Sequence, residues 1–308
     1  MSNKPIKRGL TVGKFAPLHK GHDFMIKKAL EEVDELVIIV YDAPEHTEIP
    51  LTVRAEWLRK LYPDVLVIEG WGVPKDEGWT EEIQKKHEEY ILNKVKGMNF
   101  YAFYSSEAYG FRMSKALKCF NRPIDPDRST IGISGTQIRS NVYEYRDYLD
   151  PIVYASFITK IGILGANESN RKQLAKKMAT HYDTAYASLE NPSEDPLDNA
   201  KNIEHLTHHQ IHDARGVLFI DSPALQWQVR YRNAHFHNHP EIEALICETR
   251  DAYDLLFVLP SVTEEESVFH QQLVSELKIR KMHYIQLSGN LESQMSLIAT
   301  IILNHHKY

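Results

Sequence analysis

Short apolar runs rich in Val, Ile and Phe recur along this 308-residue chain, each followed by a loop and a stretch of helical periodicity. No other feature constrains the fold as tightly. In the first half the runs lie at residues 9–15, 35–41, 65–70 and 100–104. Runs of that length without polar alternation read as strands buried on both faces, and helices between them make the strands parallel through right-handed crossovers. After the first run, Met25, Ile26, Ala29, Leu30 and Val33 fall on one face, with Lys27, Lys28, Glu31 and Glu32 outside, the pattern of an amphipathic helix. Residues 80–96 read as a solvent-facing helix, and 134–145 as another with Ser134 as its N-cap.

The rhythm restarts after Asp150 and Pro151, where the proline interrupts a helix and residues 157–165 (FITKIGILG) read as a new buried strand. Further strand-length runs follow at 216–221, 254–260 and, more weakly, 282–287, with a Pro-, Ser- and Asp-rich loop at 191–198. The fold class expected is therefore α/β in two domains, 1–153 and 154–308, each with its own parallel sheet. Domains of roughly 150 residues are ordinary, and 43% hydrophobic content supplies a core for both.

Composition narrows the function classes. With 36 basic and 42 acidic residues the net charge is 36 − 42 = −6, which argues against a general nucleic-acid binder held by phosphate contacts. No segment approaches the ~18 apolar residues that span a bilayer, and the amino terminus has no signal-peptide run, so no membrane association is expected. Cys119 and Cys247 form no CxxC pair, which disfavours a disulfide framework or structural zinc and fits a cytoplasmic protein. Twelve of the 16 histidines follow residue 180, among them His205, His208, His209 and His212. No cysteine or HExxH glutamate accompanies them, and they read as a polar helix face, with no metal site.

Chemistry enters directly after the first strand, where residues 13–22 read GKFAPLHKGH. A strand, a glycine turn and a helix start make an anion site, because backbone N–H groups and the positive end of the helix dipole point outward. His19 and His22 add donors there, and Lys14 a point charge. The same histidines could instead merely cap the helix. Late in the same domain ISGTQIRS (133–140) supplies Ser134, Thr136 and Arg139 at a second helix start. In an open parallel sheet both should line the crevice beyond the carboxyl ends of the strands.

These paired signatures, HxGH and ISxTxxR, resemble those of the nucleotidylyltransferase superfamily. The wider order GKFAPLHKGH, VDELVIIVYD, VRAEWL, YSSEAYG, DRSTIGISGTQIR, FIDSPALQWQ and DLLFVLP resembles the NadR-type bifunctional proteins of NAD synthesis. The resemblance implies a Rossmann-like nicotinamide mononucleotide (NMN) adenylyltransferase domain followed by a P-loop ribosylnicotinamide kinase domain. Some members also carry an N-terminal DNA-binding helix-turn-helix, for which no room is expected before Gly9. Implied substrates are ATP and NMN, with Mg2+ accompanying ATP, and a homo-oligomer is an implied assembly. By resemblance His19, His22 and Lys14 would meet the ATP phosphates and the transition state. Gly13, Phe15 and Gly21 would shape that loop, and Ser134, Thr136 and Arg139 would grip the β- and γ-phosphates. Trp79, in EGWTEE, matches the family's stacking tryptophan, with Trp71 as competitor. Arg54 is a candidate phosphate contact, otherwise an exposed salt bridge on its helix, and Asp42 a candidate at the NMN end. Ser105, Ser106 and Glu107 lie where adenosine or ribose would approach.

In the second domain GANESNRK (165–172) stands where the family has its phosphate loop, beginning at Gly165. A working loop ends in Gly, Lys and Ser or Thr, for close backbone approach, phosphate charge and a magnesium ligand. Here those positions hold Asn170, Arg171 and Lys172, and an ammonium has no lone pair for a metal. The acidic, arginine-bearing stretch of the family corresponds to TAYASLEN, with Ala187 and Glu190, whereas Asp221 stands at the second acidic position and could hold a metal through water. The kinase is expected to be inactive. Competing readings are a different nucleotidylyltransferase, such as one acting on pantetheine phosphate, and a non-catalytic NAD or ATP sensor.

Overall fold

The computed structural model describes residues 6–74, 78, 80–249 and 252–305, and the chain divides into two compact units after Val153. In the first unit the strands are β1 (Arg8–Gly13), β2 (Glu35–Tyr41), β3 (Leu66–Gly70), β4 (Ala102–Ser105) and β5 (Phe120–Pro123). They form one parallel sheet in the order β3-β2-β1-β4-β5. The helices between them are α1 (Lys20–Leu30), α2 (Leu51–Leu61), α3 (Glu81–Lys94), α4 (Tyr109–Leu117) and, after the last strand, α5 (Gly135–Ser140). Leu10, Val12, Val37, Ile39 and Phe103 of the central strands pack with Ile91, Val95 and Met113 into a buried core. The chain leaves β1 toward β2 and β3 on one side and returns to β4 and β5 on the other, so a crevice opens between the carboxyl ends of β1 and β4.

Two expectations are corrected here. The helix read over 134–145 stops at Ser140, because the Asn141 side chain accepts the Glu144 N–H and turns the chain out of the helix. β5 was not read as a strand at all: its residues are mostly exposed, with Arg122 and Pro123 in place of an apolar run.

Helix α6 (Pro151–Ala155) spans the division. In the second unit β6 (Thr159–Leu164), β7 (Tyr186–Ala187), β8 (Val217–Asp221), β9 (Leu255–Val258) and β10 (Ile285–Gln286) make a second parallel sheet, ordered β10-β9-β6-β8-β7. Its helices are α7 (Glu168–His181), α8 (Pro196–Ile211), α9 (Ala224–His235), α10 (Pro240–Thr249), α11 (Glu264–Ile279) and α12 (Leu291–Leu303). Ile161, Ile163, Leu174, Met178, Phe219, Phe257 and Ile298 are the centre of its core. The loop expected over 191–198 is shorter, since Asp195 caps α8 and Pro196 occupies the first turn, where a missing N–H costs nothing. Among the described residues no helix is long and apolar enough to cross a membrane.

Candidate active site

A cavity of about 740 Å³ opens at the crevice of the first sheet. It is lined from β1 by Gly13, Lys14, Phe15, His19, Gly21 and His22, from the end of β2 by Asp42, and from the end of β4 by Ser105, Ser106 and Glu107. The start of α5 contributes Ser134, Gly135, Thr136 and Arg139. The two signatures, more than a hundred residues apart, therefore meet in one space.

Their joint is specific. The Arg139 guanidinium donates to the carbonyl of Ala16 in the β1–α1 loop and, at 3.2 Å, to Thr136 Oγ1. Gly135 allows that approach: a Cβ there would lie 3.0 Å from the Ala16 carbonyl oxygen, a backbone atom that cannot swing away. Ser134 is the N-cap of α5, its Oγ accepting the Gln137 N–H at 3.2 Å.

The two histidines cap α1 and line the cavity at the same time. His19 is the N-cap of α1, its Nδ1 accepting the Gly21 N–H at 3.1 Å, and His22 Nδ1 accepts the His19 N–H at 3.4 Å. The rings stack with centroids 3.8 Å apart, and Phe15 leans on His22 at 4.9 Å. With Nδ1 of His19 an acceptor, the proton of the neutral ring sits on Nε2. Capping thus fixes the tautomer and leaves an N–H donor. Burial, with the nearby Arg128 charge second, pulls the His19 pKa down to about 4. His22 is lowered well below its ordinary value by burial first, then by His19 and Arg128, while the Pro17 carbonyl works in the other direction. Both rings are neutral near pH 7.

Arg54 is a correction. It lies outside the cavity lining and is 1% exposed, with Nε donating to the Ile49 carbonyl at 3.0 Å and Nη1 to those of Lys14 and Tyr41, each at 2.6 Å. Three carbonyls from three segments satisfy the guanidinium, so it braces the loop that carries Lys14 from behind. Trp79 lies outside the described residues. Trp71 is half exposed and bonds Glu69 through Nε1 at 2.9 Å, away from the cavity lining. Arg128, which the sequence reading passed over, does line the cavity. Its only signal was an Asp-x-x-Arg turn just before ISGTQIR.

The loop of the second unit is occupied by its own side chains. Arg171 is 1% exposed; its Nε meets Asp221 Oδ1 at 2.9 Å and Ser222 Oγ at 3.1 Å, and its Nη1 donates to the Gly165 carbonyl. The other Asp221 oxygen accepts from Ser188 Oγ at 3.0 Å. Both Asp221 oxygens thus accept from protein donors. The Gly165 N–H donates to Gln226 Oε1 at 3.0 Å, and the Asn170 N–H to Asn167 Oδ1 at 2.9 Å. Lys172 turns outward to Glu168 at 2.7 Å and to the Glu190 carbonyl at 3.2 Å. On α8, His205 and His209 face each other with Nε2 atoms 3.2 Å apart on an exposed face. Among the described residues no group of three His, Cys, Asp or Glu is arranged to hold a metal.

Comparison with known proteins agrees with this architecture. A family model described as Cytidylyltransferase-like matches residues 10–141. The Trifunctional NAD biosynthesis/regulator protein NadR of Salmonella typhimurium is 24% identical over 328 aligned residues, covering 91% of this chain and 78% of that protein. A Nicotinamide-nucleotide adenylyltransferase of Ignicoccus hospitalis is 41% identical over 83 residues, 21% of this chain and 48% of that protein. The crystal structure of a NadR protein in complex with NAD and AMP-PNP superposes with a TM-score of 0.52 at 19% identity, over 96% of this chain and 95% of that one, a likeness of fold. With a cytidylyltransferase-like first unit and a likeness to NadR proteins in sequence and fold over most of its length, the chain is similar to the NadR-type proteins.

Proposed function

We propose that the first unit transfers the adenylyl group of ATP to NMN, forming NAD and pyrophosphate, and that the second unit does not phosphorylate ribosylnicotinamide. One observation carries the first part: two helix starts of phosphate-binding type converge on a single cavity at the switch point of the sheet, joined by Arg139. The name of the Ignicoccus relative supports NMN as the acceptor, and that of the Salmonella relative supports a place in NAD synthesis.

The chemistry needs no protein nucleophile. An acceptor phosphate oxygen is already anionic near neutral pH, so the work is to hold two mutually repelling phosphates in line and to stabilise charge on the departing pyrophosphate. His19 supplies a neutral Nε2–H donor beside the stacked His22, and Lys14 a cation. Thr136 and Arg139, at the α5 start that Ser134 caps, stand at the β- and γ-phosphates. Asp42, Ser105, Ser106 and Glu107 line the nucleoside end, and Trp79 is the candidate partner for the cationic pyridinium ring. The carboxylates along the cavity come from separate segments, which suits a Mg2+ that arrives on ATP and neutralises its phosphates. In the second unit, the closed Arg171–Asp221–Gly165 network supports loss of the kinase.

The test is turnover by the purified full chain with ATP and Mg2+. NMN should give NAD and stoichiometric pyrophosphate, whereas pantetheine phosphate and ribosylnicotinamide should give no product. Turnover with pantetheine phosphate in preference to NMN would refute the acceptor, and phosphorylation of ribosylnicotinamide would refute the second part.

A further inference from the structure

The loop joining β5 to α5 is built around one arginine. Asp125 and Arg128 both have left-handed backbones, at φ 47° and 51°, a conformation that side chains other than those of Gly, Asn and Asp adopt rarely. What holds Arg128 there is local and complete. Its own N–H donates to the Asp125 carbonyl at 2.9 Å. The Asp125 carboxylate accepts the N–H groups of Thr130, at 3.0 Å, and Ile131, at 3.1 Å, and the Ser129 hydroxyl at 3.1 Å. The loop is anchored at its start, where the Ile124 N–H donates to the Ser105 carbonyl at 2.9 Å, beside the strand end that lines the same cavity.

The guanidinium so presented lines the cavity with His19, His22 and Arg139. It forms no side-chain hydrogen bond or ion pair among the described residues. The contrast with its neighbours is informative: Arg54 is satisfied by three carbonyls, and Arg139 bonds Ala16 and Thr136. Arg122, on the adjacent strand, is paired with Glu32. Strained backbone around an unpaired charge at a cavity is the arrangement expected where an anion completes the site.

We propose that Arg128 is a further catalytic residue, binding the ATP polyphosphate and taking charge from the pyrophosphate as it leaves. This rests on the adenylyl-transfer reading. In that reaction a phosphate oxygen of the acceptor forms a bond to the α-phosphorus and the bond from that phosphorus to the α–β bridging oxygen breaks. The electron pair leaves on that oxygen as part of pyrophosphate, and no oxidant or reductant is involved. Negative charge grows on the leaving group, where a fork of N–H donors stabilises it more than it stabilises bound ATP. The fall in both imidazole pKa values attributed to the Arg128 charge agrees with its closeness to the rings. A further cation, with Lys14 and Arg139, lets the site gather a polyanion without an imidazolium.

The experiment compares wild type with Arg128→Ala and Arg128→Lys in two assays. In turnover with ATP, Mg2+ and NMN, Arg128→Ala should lose about a hundredfold or more in kcat/KM for ATP, with the KM for NMN changed less than threefold. Arg128→Lys should recover part of that loss, because it restores the charge without the planar fork. In calorimetry, inorganic tripolyphosphate alone should bind Arg128→Ala at least tenfold more weakly than wild type. Wild-type kinetics in Arg128→Ala, at unchanged secondary structure by circular dichroism, would overturn the proposal. If wild type itself made no NAD, the adenylyl-transfer reading would fail, and equal tripolyphosphate affinity in the two proteins would separately overturn the role of Arg128.

Discussion

At the scale of single residues, the site depends on side chains that serve structure and chemistry with different atoms. His19 caps α1 through Nδ1 and so offers Nε2–H to the cavity, while His22 completes the capping box and stacks beneath it. Without His22 the His19 ring loses the partner it stacks on, so His22→Ala should lower kcat by about a hundredfold, the scale of one lost transition-state donor, and cost only about 1 kcal/mol in capping. Steady-state kinetics together with a denaturant midpoint checks both halves; a mutant with wild-type kcat contradicts the role. The lowered pKa of His19 also predicts a pH dependence of stability. The unfolded chain takes up this proton near pH 6.5 and the folded chain only near pH 4, so the contribution is complete above pH 6.5 and is lost as pH falls toward 4. The loss is up to about 3 kcal/mol by linkage. Lys14, Arg128 and Arg139 line the same cavity and act against protonation, whereas Asp42, Glu107 and Asp125, also in the lining, act for it. Denaturant midpoints at pH 7 and pH 4.5 should converge more closely in His19→Gln than in wild type, and equal pH slopes would contradict the assignment.

At the scale of elements, what was legible in the sequence is what periodicity encodes. The strands buried on both faces, β1, β2, β4, β6, β8 and β9, stand out as apolar runs, and the HxGH and ISxTxxR segments declare helix starts through residues that cap or bind anions. Edge strands β5 and β7 carry no such run and β10 only a weak one, and α5 ends early through one asparagine side chain that periodicity does not register. Arginines were the least legible residues. The long side chains of Arg54 and Arg171 could reach water as easily as the interior, and only the tertiary arrangement of carbonyls and of Asp221 decides their direction. Arg171 makes the second loop a closed polar core. A buried guanidinium deprived of its carboxylate is costly, so Asp221→Ala should destabilise the second unit by about 3–5 kcal/mol. Chemical denaturation of the full chain measures it, and a loss below about 1 kcal/mol would mean that the pair is not the internal ligand described here.

At the scale of the molecule, two parallel five-stranded sheets of different strand order have met different ends. In the first unit the crevice at the switch point is open, and its cations have room for a triphosphate. In the second, the corresponding helix start is capped by Asn167, its arginine is neutralised by Asp221, and the Gly165 N–H of the loop before it is taken by Gln226. The motifs at both places are visible in the sequence, but the open or closed state of each is a property of the fold. The most direct measurement follows the label from ATP carrying 32P at the α-phosphate, incubated with the full chain, Mg2+ and NMN. The account predicts that the label enters NAD while unlabelled pyrophosphate is released; label that remains in ATP, or leaves as AMP with no labelled NAD, would contradict it.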